Sequence, residues 1–130
     1  MSGEGRKVLI VDDEEDVREF VRVALEDDGY DFVTADNGEK AVKKAKSEKP
    51  DVIVMDVQMP VMDGFKAFAE LRADEATRSI PIIMLTAVAE RTGIKFDAKD
   101  MGEYLGSEPE AYIDKPIDPD KLRDTVKAVL

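Results

Sequence analysis

The chain has 130 residues, of which 30 are acidic and 19 are basic, and it contains no histidine, cysteine or tryptophan. The absence of cysteine excludes disulfides, thiolate metal sites and thiol nucleophiles. The absence of histidine excludes the commonest general base and metal ligand. A formal net charge of -11 argues against direct binding of this chain to nucleic acid or to an anionic membrane surface. The same composition suits a hard cation such as magnesium.

The sequence contains no segment that suggests a membrane or an export signal. No stretch approaches the roughly 20 apolar residues of a membrane span, and the N-terminal residues lack the basic and apolar regions of a signal peptide. We therefore predict a cytoplasmic protein with no membrane association. The length fits one domain of ordinary size, and we expect a tail over residues 1–6 and a single domain over residues 7–130.

Short apolar runs alternate with amphipathic segments along the chain. The first run, residues 8–11, is short and β-branched, which is typical of a buried strand. Apolar residues then recur at helical spacing over residues 15–27, and Gly29 is placed to end that helix. The same pattern predicts a strand at 30–35, followed by a helix that Asn37 caps and that ends before Pro50. A wholly apolar strand at 52–55 is expected to be buried on both faces. A helix at 65–73, strands at 82–85 and 111–113, and a last helix opened by Asp118 and Pro119 complete the pattern. This alternation predicts an α/β fold, with a parallel sheet and helices on both faces.

Charged or reactive side chains follow all the predicted strands except the second. Ligands of parallel α/β sheets bind beyond the carboxyl ends of the strands, so we expect these side chains to lie close together. They are Asp12 and Asp13 after the first strand, Asp56 after the third, Thr86 after the fourth, and Lys115 with Pro116 after the fifth.

The residue types at these strand ends suit phosphoryl transfer. Neighbouring carboxylates raise one another's pKa, and a magnesium ion, which accepts carboxylates and a phosphate oxygen, removes that penalty. Asp56 can act as a nucleophile and form an acyl phosphate. Lys115 can neutralise the phosphoryl group, and Thr86 can donate a hydrogen bond to it. Such a site works by positioning and charge neutralisation, as phosphoryl transfer requires.

Four motifs carry a resemblance to a known family. They are VLIVDDE at residues 8–14, DVQMPVMDG at 56–64, TA at 86–87 and YIDKP at 112–116. In this order and spacing they resemble the receiver domains of two-component response regulators, of the chemotaxis-receiver kind, and the resemblance extends over residues 7–130. It implies a doubly wound, five-stranded parallel sheet in the flavodoxin-like order 2-1-3-4-5, with helices on both faces.

The resemblance also implies roles for individual residues. Asp56 is implied to be the phosphoacceptor, with Lys115 contacting the phosphoryl group and Thr86 turning toward it on activation. Tyr112 is implied to be a switch residue that changes rotamer, and the bond between Lys115 and Pro116 is implied to be cis. The implied ligands of Mg²⁺, for which Mn²⁺ is expected to substitute, are Asp12, Asp13, Asp56 and the backbone carbonyl of Gln58.

The implied phosphoryl donor is a phosphohistidine on a sensor histidine kinase or on a histidine phosphotransfer protein. The chain is not expected to be a conventional enzyme, although it contributes to its own phosphotransfer and to slow self-dephosphorylation. Phosphorylation would switch the surface of the family's fourth helix, fifth strand and fifth helix for a downstream protein. We expect a monomer, or a weak dimer through that face, and no output domain in this chain; a fragment of a longer regulator is the alternative.

Two features concern positions that depart from the family or tune its chemistry. Residues 87–110 form a segment longer than usual and without a long apolar stripe, so we predict that the fourth helix is remodelled, broken or mobile. Gln58 and Val88 lie two residues after Asp56 and Thr86, where water would approach the acyl phosphate. Val88 offers no polar group to orient that water, which predicts slow dephosphorylation.

Three other functions fit parts of the pattern. One is a receiver fold that binds proteins independently of phosphorylation, against which the full set of strand-end residues argues. Another is a phosphatase similar to the haloacid dehalogenases, which carry an Asp-x-Asp pair, whereas this chain has Gln58 at the second position. The third is a flavodoxin-like flavin binder, whose phosphate loop is rich in hydroxyls and amides, whereas residues 12–16 are all acidic.

Overall fold

The computed structural model describes residues 5–57, 62–87 and 109–130. Its elements are, in chain order, β1 (Lys7–Val11), α1 (Glu15–Glu26), β2 (Asp31–Ala35), α2 (Gly38–Glu48), β3 (Val52–Asp56), α3 (Gly64–Ala73), β4 (Ile82–Ala87), β5 (Ala111–Lys115) and the C-terminal helix α4 (Pro119–Val129). The five strands form one sheet in the order β2–β1–β3–β4–β5, and every neighbouring pair is parallel. The predicted fold class and strand order are therefore confirmed.

The sheet separates two apolar clusters, because successive side chains of a strand point to opposite faces. On the α2/α3 face, Met55 of β3 packs in one cluster with Phe68 of α3. On the α1/α4 face, Val54 packs in the other cluster with Leu25 of α1 and Leu122 of α4. All five side chains are fully buried. The central strand β3 is therefore buried on both faces, as its apolar sequence predicted.

The strands extend further than the apolar pattern predicts. Asp56 is the last residue of β3, Thr86 lies inside β4, and Lys115 is the last residue of β5. These residues were predicted to follow the strands. The backbone ladder continues through them, since Asp56 still pairs in register with Leu85. A polar side chain at the carboxyl end of a strand interrupts the apolar pattern but leaves the backbone hydrogen bonds in place.

Helix ends follow the capping chemistry of the sequence. Asn37 and Asp118 accept hydrogen bonds from backbone N–H groups of the first turn, at 2.8 and 2.9 Å, as predicted. Asp63 caps α3 in the same way, at 2.8 Å. The first helix ends at Glu26, and Gly29 follows it with φ 82°, a left-handed conformation that favours glycine.

Three predictions fall on residues that the structure does not describe. They concern Gln58, Val88 and the family's fourth helix, which was predicted to be remodelled and is not the helix labelled α4 here. These positions fall on residues 58–61 and 88–108. Among the described residues, no helix has the length and the apolar character needed to cross a bilayer.

Arg72 connects α3 to the edge of the sheet near β4 and β5. Its guanidinium donates to the backbone carbonyl of Ile80 at 2.8 Å and to Glu110 Oε1 at 2.6 Å. The same Glu110 oxygen accepts from the backbone N–H of Ile82 at 2.7 Å. The guanidinium also lies 4.9 Å from the centre of the Phe68 ring. Arg72 thus holds the residues that precede β4 and β5 against α3.

We expect Arg72→Lys to lower the free energy of unfolding by about 1–3 kcal/mol, because lysine cannot make these hydrogen bonds and the ring contact together. Urea unfolding of both proteins measures the difference. Arg123→Lys, which changes an arginine of α4 paired with the exposed Asp120, serves as the control and is expected to lie near wild type. Coincident unfolding curves for Arg72→Lys and wild type would contradict the role given to Arg72.

Candidate functional site

Three carboxylates meet where the C-terminal ends of the parallel strands lie side by side, here called the carboxyl edge of the sheet. Asp12 and Asp13 follow β1, and Asp56 ends β3, which neighbours β1 in the sheet. One oxygen of each carboxylate lies within 4.8 Å of the others. Asp12 and Asp56 are buried, whereas Asp13 is exposed. The strand order therefore assembles these acids as predicted, with two of them inside the protein.

Lys115 contacts both buried carboxylates. Its Nζ lies 3.0 Å from Asp56 Oδ1 and 3.3 Å from Asp12 Oδ2. The peptide bond between Lys115 and Pro116 is cis. One ammonium group that faces three carboxylates leaves this set of four side chains with a net negative charge.

The pKa values of the site follow from burial and from these contacts. Burial raises the pKa of Asp12 above its ordinary value, although the backbone N–H of Glu14, at 2.9 Å, and Lys115 both favour the carboxylate. Burial lowers the pKa of Lys115, but the hydrogen bond to Asp56 and the charge of Asp12 outweigh it, so the pKa lies above its ordinary value. Lys115 therefore keeps its positive charge. The contacts of the Asp12 carboxylate do not fully offset the cost of burying its negative charge.

Backbone contacts position the two loops that carry the acids. The Arg18 guanidinium donates to the backbone carbonyl of Asp12 at 2.7 Å. The Gly64 N–H donates to the carbonyl of Val57 at 2.7 Å, and a Cβ at Gly64 would lie 2.3 Å from the carbonyl oxygen of Asp56. Only glycine fits so close to that backbone. The sequence patterns included Gly64 only as the last residue of the motif at 56–64 and gave Arg18 no role.

Thr86 lies at the same edge but contacts a residue that the sequence analysis did not single out. It is buried, and its hydroxyl donates to Asp114 Oδ1 at 3.1 Å. Tyr112, two residues earlier on β5, is partly buried against the cluster of the α2/α3 face. The period-two alternation of β5 places Asp114 on the face of Tyr112, which is the signal that would have drawn attention to it.

The set of side chains fits a hard divalent cation. Magnesium prefers oxygen ligands and binds through a small number of carboxylates, and Asp12, Asp13 and Asp56 offer such oxygens close together. A cation would also stabilise the ionised form of Asp12, whose pKa burial has raised. The donor set and its charge thus agree with the predicted magnesium site.

The sequence matches a known protein family over nearly all of its length. Residues 8–127 match the family described as response regulator receiver domain. Together with the fold and the strand-end residues, this match shows that the chain belongs to the response regulator receiver domain family, as the four motifs predicted.

Individual relatives agree with this assignment. The chain is similar to the alkaline phosphatase synthesis transcriptional regulatory protein PhoP of Bacillus subtilis, with 43% identity over 125 residues, 96% of this chain and 48% of PhoP. It is similar to protein PilH of Pseudomonas aeruginosa, with 36% identity over 124 residues, 95% of this chain and 97% of PilH. The fold is similar to the high-resolution structure of chemotaxis response regulator CheY4 of Vibrio cholerae, with a TM-score of 0.80 and 36% identity over 96% of this chain and 98% of that chain. The chain spans about half the length of relatives such as PhoP.

Asp12→Asn should stabilise the domain at neutral pH when no divalent cation is present. Because the folded-state pKa of Asp12 is raised, its protonated form favours folding. That contribution is complete below the unfolded value of 3.8 and is lost as the pH rises through the folded-state pKa. We expect a higher free energy of unfolding at neutral pH, measured by urea unfolding, and no gain below pH 3.8.

Asp124→Asn, which removes an exposed carboxylate from α4, is the control for this prediction and should change stability little. Saturating magnesium should abolish or reverse the advantage of Asp12→Asn, because an ion held by the wild-type carboxylate would stabilise the folded state. A variant less stable than wild type at neutral pH without cations would show that the contacts of the Asp12 carboxylate outweigh the cost of burying it.

Proposed function

We propose that this receiver domain accepts a phosphoryl group on Asp56 from a phosphohistidine of a sensor histidine kinase or a histidine phosphotransfer protein, in a magnesium-dependent reaction. The observation that carries the proposal is the contact of Lys115 Nζ with Asp56 Oδ1, at 3.0 Å, inside a cluster with Asp12 and Asp13. A buried carboxylate by itself could serve only the structure. Here the carboxylate of Asp56 is paired with the ammonium group of Lys115 and lies beside two further carboxylates that could bind a cation, which is the set that phosphoryl transfer to Asp56 requires.

The proposed reaction is a direct transfer between two nucleophiles. A carboxylate oxygen of Asp56 attacks the phosphorus, the bond between phosphorus and the donor's imidazole nitrogen breaks, and an acyl phosphate forms. The leaving imidazole keeps the electron pair of that bond and takes up a proton. The ion pair with Lys115 favours the carboxylate form that this attack needs. The chain itself has no histidine, which agrees with a recipient of the phosphoryl group.

The proposed cation ligands are the carboxylates of Asp12, Asp13 and Asp56, together with the backbone carbonyl of Gln58, which the family resemblance implies. When bound, the ion supplies positive charge for the acids and for the phosphoryl oxygens. Lys115 is buried enough that its charge is not strongly screened by solvent, with 23% of its side chain exposed. It pairs with Asp56 before transfer, and we propose that it pairs with a phosphoryl oxygen afterwards.

The proposed response to phosphorylation is a change in Thr86 and Tyr112. A phosphoryl group brings negative charge and acceptor oxygens to the sheet edge, and the Thr86 hydroxyl is proposed to rotate toward them. Tyr112 is proposed to follow, since it lies on β5 and is only partly buried. The signal would then appear on a surface that includes β5 and α4, where a downstream protein binds.

DNA binding is not proposed for this domain, although the relative PhoP is named as a transcriptional regulatory protein. A net charge of -11 opposes contact with phosphates. A role in transcription would belong to another part of a longer regulator or to a partner.

Incubation with acetyl phosphate and magnesium should add the mass of one phosphoryl group to the wild-type chain. We expect no adduct in Asp56→Asn, because the amide is not a nucleophile for this step. Intact-mass spectrometry measures the adduct. Asp124→Asn, which removes an exposed carboxylate from α4, is the matched control and should be labelled like wild type.

Two results would overturn this proposal. An adduct that persists in Asp56→Asn would place the nucleophile at another residue. A folded wild-type chain that gains no adduct with magnesium present would favour a receiver fold that binds its partners independently of phosphorylation.

A further inference from the structure

The hydroxyl of Thr86 already has a hydrogen-bond acceptor in this structure. Its Oγ1 donates to Asp114 Oδ1 at 3.1 Å, and the two residues are register partners on β4 and β5. Thr86 is buried, whereas Asp114 is exposed. A threonine hydroxyl has one proton to donate. A hydrogen bond from Thr86 to Asp114 and one from Thr86 to a phosphoryl group on Asp56 therefore exclude each other.

Strand alternation separates this pair from the nucleophile. Asp114 follows Tyr112 by two residues and therefore shares the α2/α3 face, as does its register partner Thr86. Asp56 follows Val54 by two residues, and Val54 packs on the α1/α4 face. Thr86 must therefore change its side-chain torsion to reach a group on Asp56. Threonine is β-branched, so this change is a jump between discrete rotamers.

We propose that Asp114 is a positioning residue that holds the Thr86 hydroxyl away from Asp56 until phosphorylation, and so sets how readily the domain activates. The proposal rests on the phosphorylation of Asp56 proposed above. Because the acceptor is a carboxylate, its hydrogen bond is charge-assisted and stronger than one to a neutral group. The phosphoryl group has to outcompete this acceptor, which shifts the population of the unphosphorylated domain toward the inactive arrangement.

The test uses the full chain with magnesium and beryllofluoride, a non-covalent analogue of the phosphoryl group. In Asp114→Ala, binding no longer breaks the hydrogen bond, so we expect the affinity for beryllofluoride to rise about tenfold, as for the loss of one competing hydrogen bond. Fluorine NMR of the bound analogue gives the affinity, and the methyl resonance of Thr86 reports its rotamer. Asp114→Asn keeps an acceptor oxygen without the charge and should give a smaller rise.

Two further variants separate the hydrogen bond from the charge. Thr86→Val keeps the shape of the side chain but has no hydroxyl, so adding Asp114→Ala to it should leave the affinity unchanged. Asp124→Asn removes an exposed carboxylate from α4 and should bind beryllofluoride like wild type.

Equal affinities in wild type and Asp114→Ala would overturn the proposal. So would an equal rise in the Thr86→Val background, since Asp114 would then act without Thr86. A folded wild-type chain that binds no beryllofluoride would overturn the proposed function and this proposal together, a result distinct from the other two. Thermal unfolding establishes that each variant is folded; if Asp114→Ala is not, the comparison of Asp114→Asn with wild type decides, and equal affinities there count against the proposal.

Discussion

Asp12 and Asp56 place two carboxylates inside the protein, next to a third at Asp13. Charges of one sign repel strongly where water is excluded, and burial alone already disfavours the ionised forms of Asp12 and Asp56. Lys115 compensates only in part, because one ammonium group faces three acids. The domain therefore keeps a charge imbalance at the edge of its sheet, and this imbalance makes the edge receptive to a cation and to the chemistry that a cation supports.

The parallel topology explains how the imbalance is kept without loss of the fold. Because all the strands are parallel, their C-terminal ends lie on the same side of the sheet, and the acids meet there. Apolar residues of the same strands fill a cluster on each face of the sheet. The two apolar clusters stabilise the fold, so the domain can tolerate the electrostatic repulsion among the acids at the strand ends. Functional sites commonly conflict with stability in this way, and the rest of the structure compensates for them.

The fold class and the cluster of side chains at the strand ends could be predicted from local patterns, whereas the strand order was implied by the family resemblance. Apolar runs and helical spacing predicted the elements, and residues at the strand ends predicted the cluster, because the carboxyl ends of parallel strands share one edge. The contact between Thr86 and Asp114 was missed, since the register of β4 against β5 joins residues 28 positions apart and leaves no local trace. The constraint on Gly64 was missed for the same reason: it arises from the backbone of Asp56, on another element.

The hydrogen bond between Lys115 and Asp12 joins residues 103 positions apart. During synthesis the acids of β1 and β3 leave the ribosome long before the lysine that balances them. A nascent chain that lacks β5 has neither the last strand nor the ammonium group of the site. The cluster of acids and its compensating ammonium group can therefore be complete only after β5 has been synthesised.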